Sequence, residues 1–430
     1  MIMRSEGREH SIFWYIMMTI VLFCYIYQFD LQIFGLPEWF HSIRLSALML
    51  YVLFGIHLLT NTSTREPKSQ GLRFYKSQFK LHVFLFIYML FLFFAIGLRE
   101  GEHMVVVLLN FFFIRLIPIY FCTKMFKSLD ELMYVVLAAT LLQTVIIWVS
   151  LLLPALGTII DLTFNASDEF IGHRTGYAGG LGCITAPGYL RYSLGQIACF
   201  YLFTRKNKLV FFIISIVLLI TGTLIARTGL FTGFIVMLFM LLYMFRKKGG
   251  KSIISIAIVS FMLMVVAGQL LSNKDVLSFL DERYYRMTSL AEESRDGGFL
   301  KSSFFYNYLH GEGSVLPEIS LSTLIGTGVP SGIAGNGVKV NIDGGYLRLY
   351  VAYGLLLAVF FYLYLFRGMI RVARKENDMD VRYTLVLTTV MLIMAEYKEW
   401  IFYSSPFIWL FCVFAIIAAR ENMVINVKQS

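Results

Sequence analysis

The chain is divided into apolar runs of about twenty residues, each long enough to cross a hydrocarbon core of about 30 Å at 1.5 Å of rise per residue. These runs fall near 12–29, 44–60, 80–98, 104–123, 132–153, 188–204, 209–226, 228–245, 252–271, 346–366, 383–400 and 401–419. Backbone in lipid must satisfy its own polar groups, so runs of this length are expected to be helices. The expected fold class is an all-α polytopic membrane protein with about twelve transmembrane helices, forming one integral membrane domain over 1–430. Composition agrees, since 15% of residues are charged against roughly a quarter in soluble domains. The first run has no small-residue cleavage site after it and reads as a retained helix. The tightest hairpins fall at Arg227 and around Trp400.

Charge sets the expected orientation. A net charge of +10 would suit nucleic acid, but the cations cluster in short segments between apolar runs, so no nucleic-acid partner is expected. Alternate loops and both termini carry 23 cations against 9 acids, whereas the remaining segments carry 14 against 18. The positive-inside rule therefore places both termini in the cytoplasm. Two long segments, 154–187 and 272–345, become the large extracytoplasmic loops. The second is long enough for helices of its own: 281–293 suits a helix, and 302–309 is aromatic enough for a membrane surface.

Familiar catalytic motifs are lacking. The sequence contains no Walker loop and no HExxH, and its seven histidines are too scattered to suggest a metal site, so neither a cofactor nor a metal is expected. Cys24, Cys122, Cys199 and Cys412 fall in apolar helices and only Cys183 lies in a loop, which leaves no disulfide framework. The informative signal is arginine on the outer side: 10 of the 14 cations there are Arg. Its planar fork pairs bidentately with phosphate, as a lysine ammonium cannot.

Arg174 lies in IGHRTGYAGGLG of the first outer loop. Arg191, Arg227 and Arg348 stand at or just before helices expected to enter the membrane from outside, where helix N-termini add unpaired N–H groups to the cradle. Each could instead snorkel to headgroups or pair with a loop acid. Asp343, on a Gly-flanked approach to the tenth run, is a candidate general base, or alternatively a helix cap or a partner of Arg348. His310, in NYLHGEG, is a second candidate base or a solvated loop histidine. Tyr346 begins the helix after Asp343 and could contact glycan. Arg115, in NFFFIRLIPIY, is the main charge at mid-span. Glu396, Lys398 and Glu399, in AEYKEW, read as a charge network at an outer hairpin.

The RTG turn between apolar helices, the glycine-rich loop with HRTG, and DGGYLRLYVAYGLLL after a large loop resemble O-antigen polymerases of the Wzy type. The likeness covers most of the chain as topology and about forty residues as sequence. It implies a glycosyltransferase of the bacterial inner membrane that works without a metal. Donor and acceptor would be glycans on undecaprenyl pyrophosphate. The acceptor hydroxyl attacks the donor's anomeric carbon and undecaprenyl pyrophosphate leaves. Asp343, His310 and Arg227 would be the catalytic groups, and Arg174, Arg191, Arg227, Arg348 and Tyr346 would hold pyrophosphate and glycan. A chain-length regulator is an implied partner. Related O-antigen ligases carry a histidine where this sequence has Asp343-Gly344. A ligase is one alternative reading, and a transporter or flippase of lipid-linked oligosaccharides is the other.

Overall fold

The computed structural model describes residues 10–29, 42–60, 69–95, 102–153, 186–225, 228–248, 324–328, 332–333, 339–340, 345–398, 401–404 and 406–429, with short pieces at 155–157 and 159–160. The expected ninth run lies outside these residues, as does most of both large loops. The described elements are helices, apart from a two-residue antiparallel pair, β1 (Gly332–Ile333) with β2 (Lys339–Val340). Gln70–Phe94, Met104–Met125, Leu129–Ser150 and Leu355–Arg374 are long and apolar enough to cross a membrane. Ile12–Tyr27, Ser42–Leu58, Leu209–Gly222 and Thr232–Arg246 are shorter apolar helices. Large apolar side chains such as Phe94, Phe234 and Leu356 are exposed on the outside of the bundle, the pattern of a protein solvated by lipid.

In chain order the helices are α1 (Ile12–Tyr27), α2 (Ser42–Thr60), α3 (Gln70–Ala95), α4 (Glu102–Asn110), a π-helical turn (Phe111–Leu116), α5 (Ile117–Met125) and α6 (Leu129–Leu152). Then come α7 (Ala186–Lys206), α8 (Leu209–Ile225), α9 (Thr228–Lys248), α10 (Gly345–Tyr353), α11 (Leu355–Arg374), α12 (Met379–Lys398), α13 (Ile401–Ser404) and α14 (Phe407–Gln429). The centre of the bundle is α7, which packs on α6, α8, α9 and α12. It crosses α6 at Gly195, where a Cβ would lie 2.4 Å from Thr140.

Three expected spans differ in form. The run at 80–98 belongs to a helix that already starts at Gln70, because Arg73, Lys76 and Lys80 can extend their stems along its surface while their charges reach water. The run at 104–123 is interrupted by the π turn, for which Pro118 supplies the cause. Proline has no N–H, so neither Phe113 (i−5) nor Ile114 (i−4) can find its helical donor there. Tyrosines from neighbouring helices replace it: Tyr51 donates to the Phe113 carbonyl at 2.9 Å and Tyr25 to the Ile114 carbonyl at 2.8 Å. Arg115 is buried in this turn with its guanidinium 5.0 Å from the Tyr25 ring centroid.

The run at 346–366 is not one span. It breaks at Gly354 (φ 87°, ψ 156°) into α10 and α11. Tyr346 and Tyr362 sit eight residues either side of the break, yet their rings are 4.6 Å apart. A continuous helix would separate them by about 24 Å. α10 therefore folds back along α11, and its first residues lie roughly 12 Å down α11 from the turn.

The charged ends of several helices gather at one end of the bundle. Lys206 pairs with Asp130, and Arg205 with Asp378 at 2.8 Å. Arg246 donates to Tyr383 at 2.9 Å, and Arg420 donates to the carbonyls of Thr123 and Phe126, capping the C-terminal end of α5. Ser128 caps α6 by accepting from Glu131 N–H at 3.2 Å. Glu131 in turn accepts from Tyr15 of α1 at 3.2 Å. The cation-rich segments 124–127, 205–208, 246–248 and 367–382 thus share one end with the start of α1 and the last turns of α14.

Candidate functional site

The fold-back at Gly354 is made by backbone packed against backbone. Residues 324–328 cross the turn, and the N–H groups of Thr327 and Gly328 donate to the carbonyls of Val351 and Ala352 at 2.9 and 3.0 Å. These are the last carbonyls of α10, which have no helical donor of their own. Gly326 (φ 103°) and Gly354 meet so closely that a Cβ on Gly354 would stand 2.2 Å from the Leu324 oxygen. Tyr88 of α3 donates to the Ile325 carbonyl at 2.6 Å and fastens the crossing segment to the bundle.

At its other end, α10 starts inside the bundle. The Tyr346 hydroxyl donates to the Ile393 carbonyl of α12 at 3.0 Å, and its ring rests on Tyr362 and Phe366. Three residues from Ile393 is Glu396, fully buried. Tyr362 donates to one carboxylate oxygen at 2.6 Å, and the N–H groups of Ile401 and Phe402 donate to the other at 2.9 and 2.7 Å. Glu396 thus caps α13 and ties it to α11. Arg348 lies one turn into α10. Burying a carboxyl group in a membrane bundle costs several kcal/mol unless it is hydrogen-bonded, and three donors supply that.

Beside this cluster, the hydroxyls of Tyr353 and Tyr403 share a 2.5 Å hydrogen bond. The His82 ring lies between Phe111 and Phe402, at 4.7 and 5.6 Å, and its Nδ1–H donates to the Gln78 carbonyl at 2.8 Å. Both sides of the cluster are aromatic, which holds each polar group in one place.

Of the residues singled out in the sequence, Arg191, Arg348 and Tyr346 are described. Asp343, His310, Arg227 and Arg174 lie outside the described residues. Arg191, near the start of α7, donates to the Tyr27 carbonyl at 3.2 Å and so places a cation at the C-terminal end of α1. Tyr346 and Arg348 share α10, where Tyr346 bonds to α12 within one turn of Glu396, whereas Arg191 is held on another helix; α7 and α10 both pack on α12. Hydropathy puts the N-terminus of α10 at the mouth of the bundle, whereas the structure puts it about halfway along α11. The sequence presents Glu396 as one member of a hairpin charge network. In the structure it is the carboxylate that joins α11, α12 and α13. The available signal is an acid at the end of the apolar run 383–400, within AEYKEW. Comparison with protein-family models, with curated proteins and with solved structures gave no match.

Proposed function

We propose that the chain is a glycosyltransferase that polymerises oligosaccharide repeat units carried on undecaprenyl pyrophosphate. It would act at the outer face of the bacterial inner membrane, with both termini cytoplasmic and about twelve spans. The observation that carries this reading is the half-depth start of α10, which carries Arg348 below the turn at Gly354 at the end of a glycine-rich approach. A lipid-linked donor keeps its tail among helices, its pyrophosphate at the hydrocarbon boundary and its sugar above. An enzyme for it needs cations set below the mouth of the bundle. In the transfer, the acceptor hydroxyl forms a bond to the anomeric carbon as the bond to the pyrophosphate oxygen breaks. The hydroxyl proton passes to a base, for which Asp343 and His310 are the candidates. Negative charge grows on the leaving pyrophosphate, and Arg227, Arg348, Arg174 and Arg191 are the groups that would bind it. Fixed donors of this kind contribute about 10²–10³ in rate each.

A second reading, a flippase for the same lipid-linked glycans, is favoured by the broken helices α10/α11 and α13/α14, since discontinuous helices often line translocation paths. One experiment separates them. Purified protein is given a short lipid-pyrophosphate-linked repeat unit with EDTA present. A ladder of lengthened glycans, lost in Arg227→Ala, supports the polymerase. Movement of intact substrate across a proteoliposome membrane without a ladder supports the flippase. Transfer to lipid A core in place of a ladder would point to a ligase.

A further inference from the structure

The three hydrogen bonds that Glu396 accepts reach two other helices. Tyr362 belongs to α11, the long arm of the fold-back. Ile401 and Phe402 open α13, whose next residue, Tyr403, shares a hydrogen bond with Tyr353 at the far end of α10. Glu396 itself sits on α12 within one turn of Ile393, the acceptor for Tyr346 at the near end of α10. Both ends of α10 are thus referenced to the same carboxylate, one through α13 and one through α12. Arg348 lies between those ends on the same helix. A nine-residue helix has too few turns to set its own depth in a membrane bundle. Its depth and rotation are set by these contacts.

We infer that Glu396 is a positioning residue: its hydrogen bonds fix the depth and rotation of α10, and with it the place of Arg348, the group proposed to bind a lipid-linked pyrophosphate. The inference rests on the polymerase reading for its substrate, while the positioning of α10 stands on the hydrogen bonds alone. Glutamine at 396 keeps the pattern: its oxygen accepts from Ile401 and Phe402 and its amide donates to the Tyr362 oxygen. Alanine removes the hydrogen bonds.

The full-length protein in detergent is compared as wild type, Glu396→Gln, Glu396→Ala, Arg348→Ala and the Glu396→Ala/Arg348→Ala double variant, using the lipid-pyrophosphate-linked repeat unit as probe. Glu396→Ala is expected to lower turnover on the order of 10- to 100-fold, the effect of a misplaced binding group, and Glu396→Gln, which keeps the hydrogen bonds, to restore it. The double variant should be no slower than Arg348→Ala, because both changes act through one guanidinium. Wild-type turnover in Glu396→Ala, or a Glu396→Gln variant as slow as Glu396→Ala, would overturn the inference. So would a double variant whose loss is the product of the two single losses. If the wild type builds no ladder, the polymerase reading fails separately, and hydrogen exchange of the 346–353 amides decides the positioning. Faster exchange in Glu396→Ala than in wild type supports it, and equal exchange overturns it.

Discussion

At Gly354 the backbone takes φ 87° and ψ 156°, a conformation that costs a side-chain-bearing residue about 1–3 kcal/mol. The Leu324 oxygen occupies the position a Cβ would take, and it is backbone, so it cannot rotate away. Gly354→Ala is therefore expected to lower stability by roughly 3 kcal/mol, read as a lower thermal midpoint in detergent. Gly55 is the control. It lies in α2, where a Cβ would have nothing within 4 Å, and Gly55→Ala should raise stability by about 0.5–1 kcal/mol. An unchanged or raised midpoint in Gly354→Ala, as in Gly55→Ala, would mean that the turn tolerates a side chain and that the fold-back is not fixed by its glycine. The YVAYGLLL stretch reads as one continuous span because one glycine barely alters the hydropathy of twenty residues. The reversal depends on a dihedral angle and on a partner segment some thirty residues earlier, neither of which periodicity reports.

Among the elements, the helix from α4 to α5 shows how a membrane bundle accommodates a proline. Pro118 withholds the donor for two carbonyls, the helix widens by a π turn, and Tyr51 and Tyr25 supply hydroxyls. Tyr25 is fully buried, so Tyr25→Phe would leave the Ile114 carbonyl without a partner in an apolar setting. The expected cost is about 1–3 kcal/mol, with the ring under Arg115 retained. Tyr51→Phe is expected to cost a similar amount, because the Phe113 carbonyl lies near mid-span, where lipid supplies no replacement donor. Equal melting temperatures for wild type and Tyr25→Phe would remove the hydroxyl from the account. Pro118 is legible as a breaker inside an apolar run, and Arg115 as a charge out of place. Their repair by tyrosines of α1 and α2 is not, since those residues are distant in sequence and join only when the helices pack.

For the whole molecule, the helical class and most described helix positions follow from hydropathy, and the described cation-rich segments 124–127, 205–208, 246–248 and 367–382 meet at one end. Which side of the membrane that end faces is a consequence of the positive-inside rule, and it is testable. Lys208 is exposed at that end, between α7 and α8. In a Cys183→Ser background, Lys208→Cys is expected to resist a membrane-impermeant maleimide in intact cells and to react after lysis. Labelling in intact cells would invert the proposed topology and move the candidate site to the cytoplasmic side. The candidate site itself is only partly legible: Arg348 and Tyr346 stand out by type and position, but Glu396 gains its meaning from three helices meeting around it. The fold-back also bears on how the protein is made. A nine-residue helix cannot be retained in a bilayer by its own hydrophobicity, so α10 must be admitted as a hairpin with α11 and then wait for later segments to arrive. Ile393 and Glu396 are synthesised after both, so a nascent chain ending near residue 378 would hold α10 without its anchors and expose it to membrane quality-control proteases.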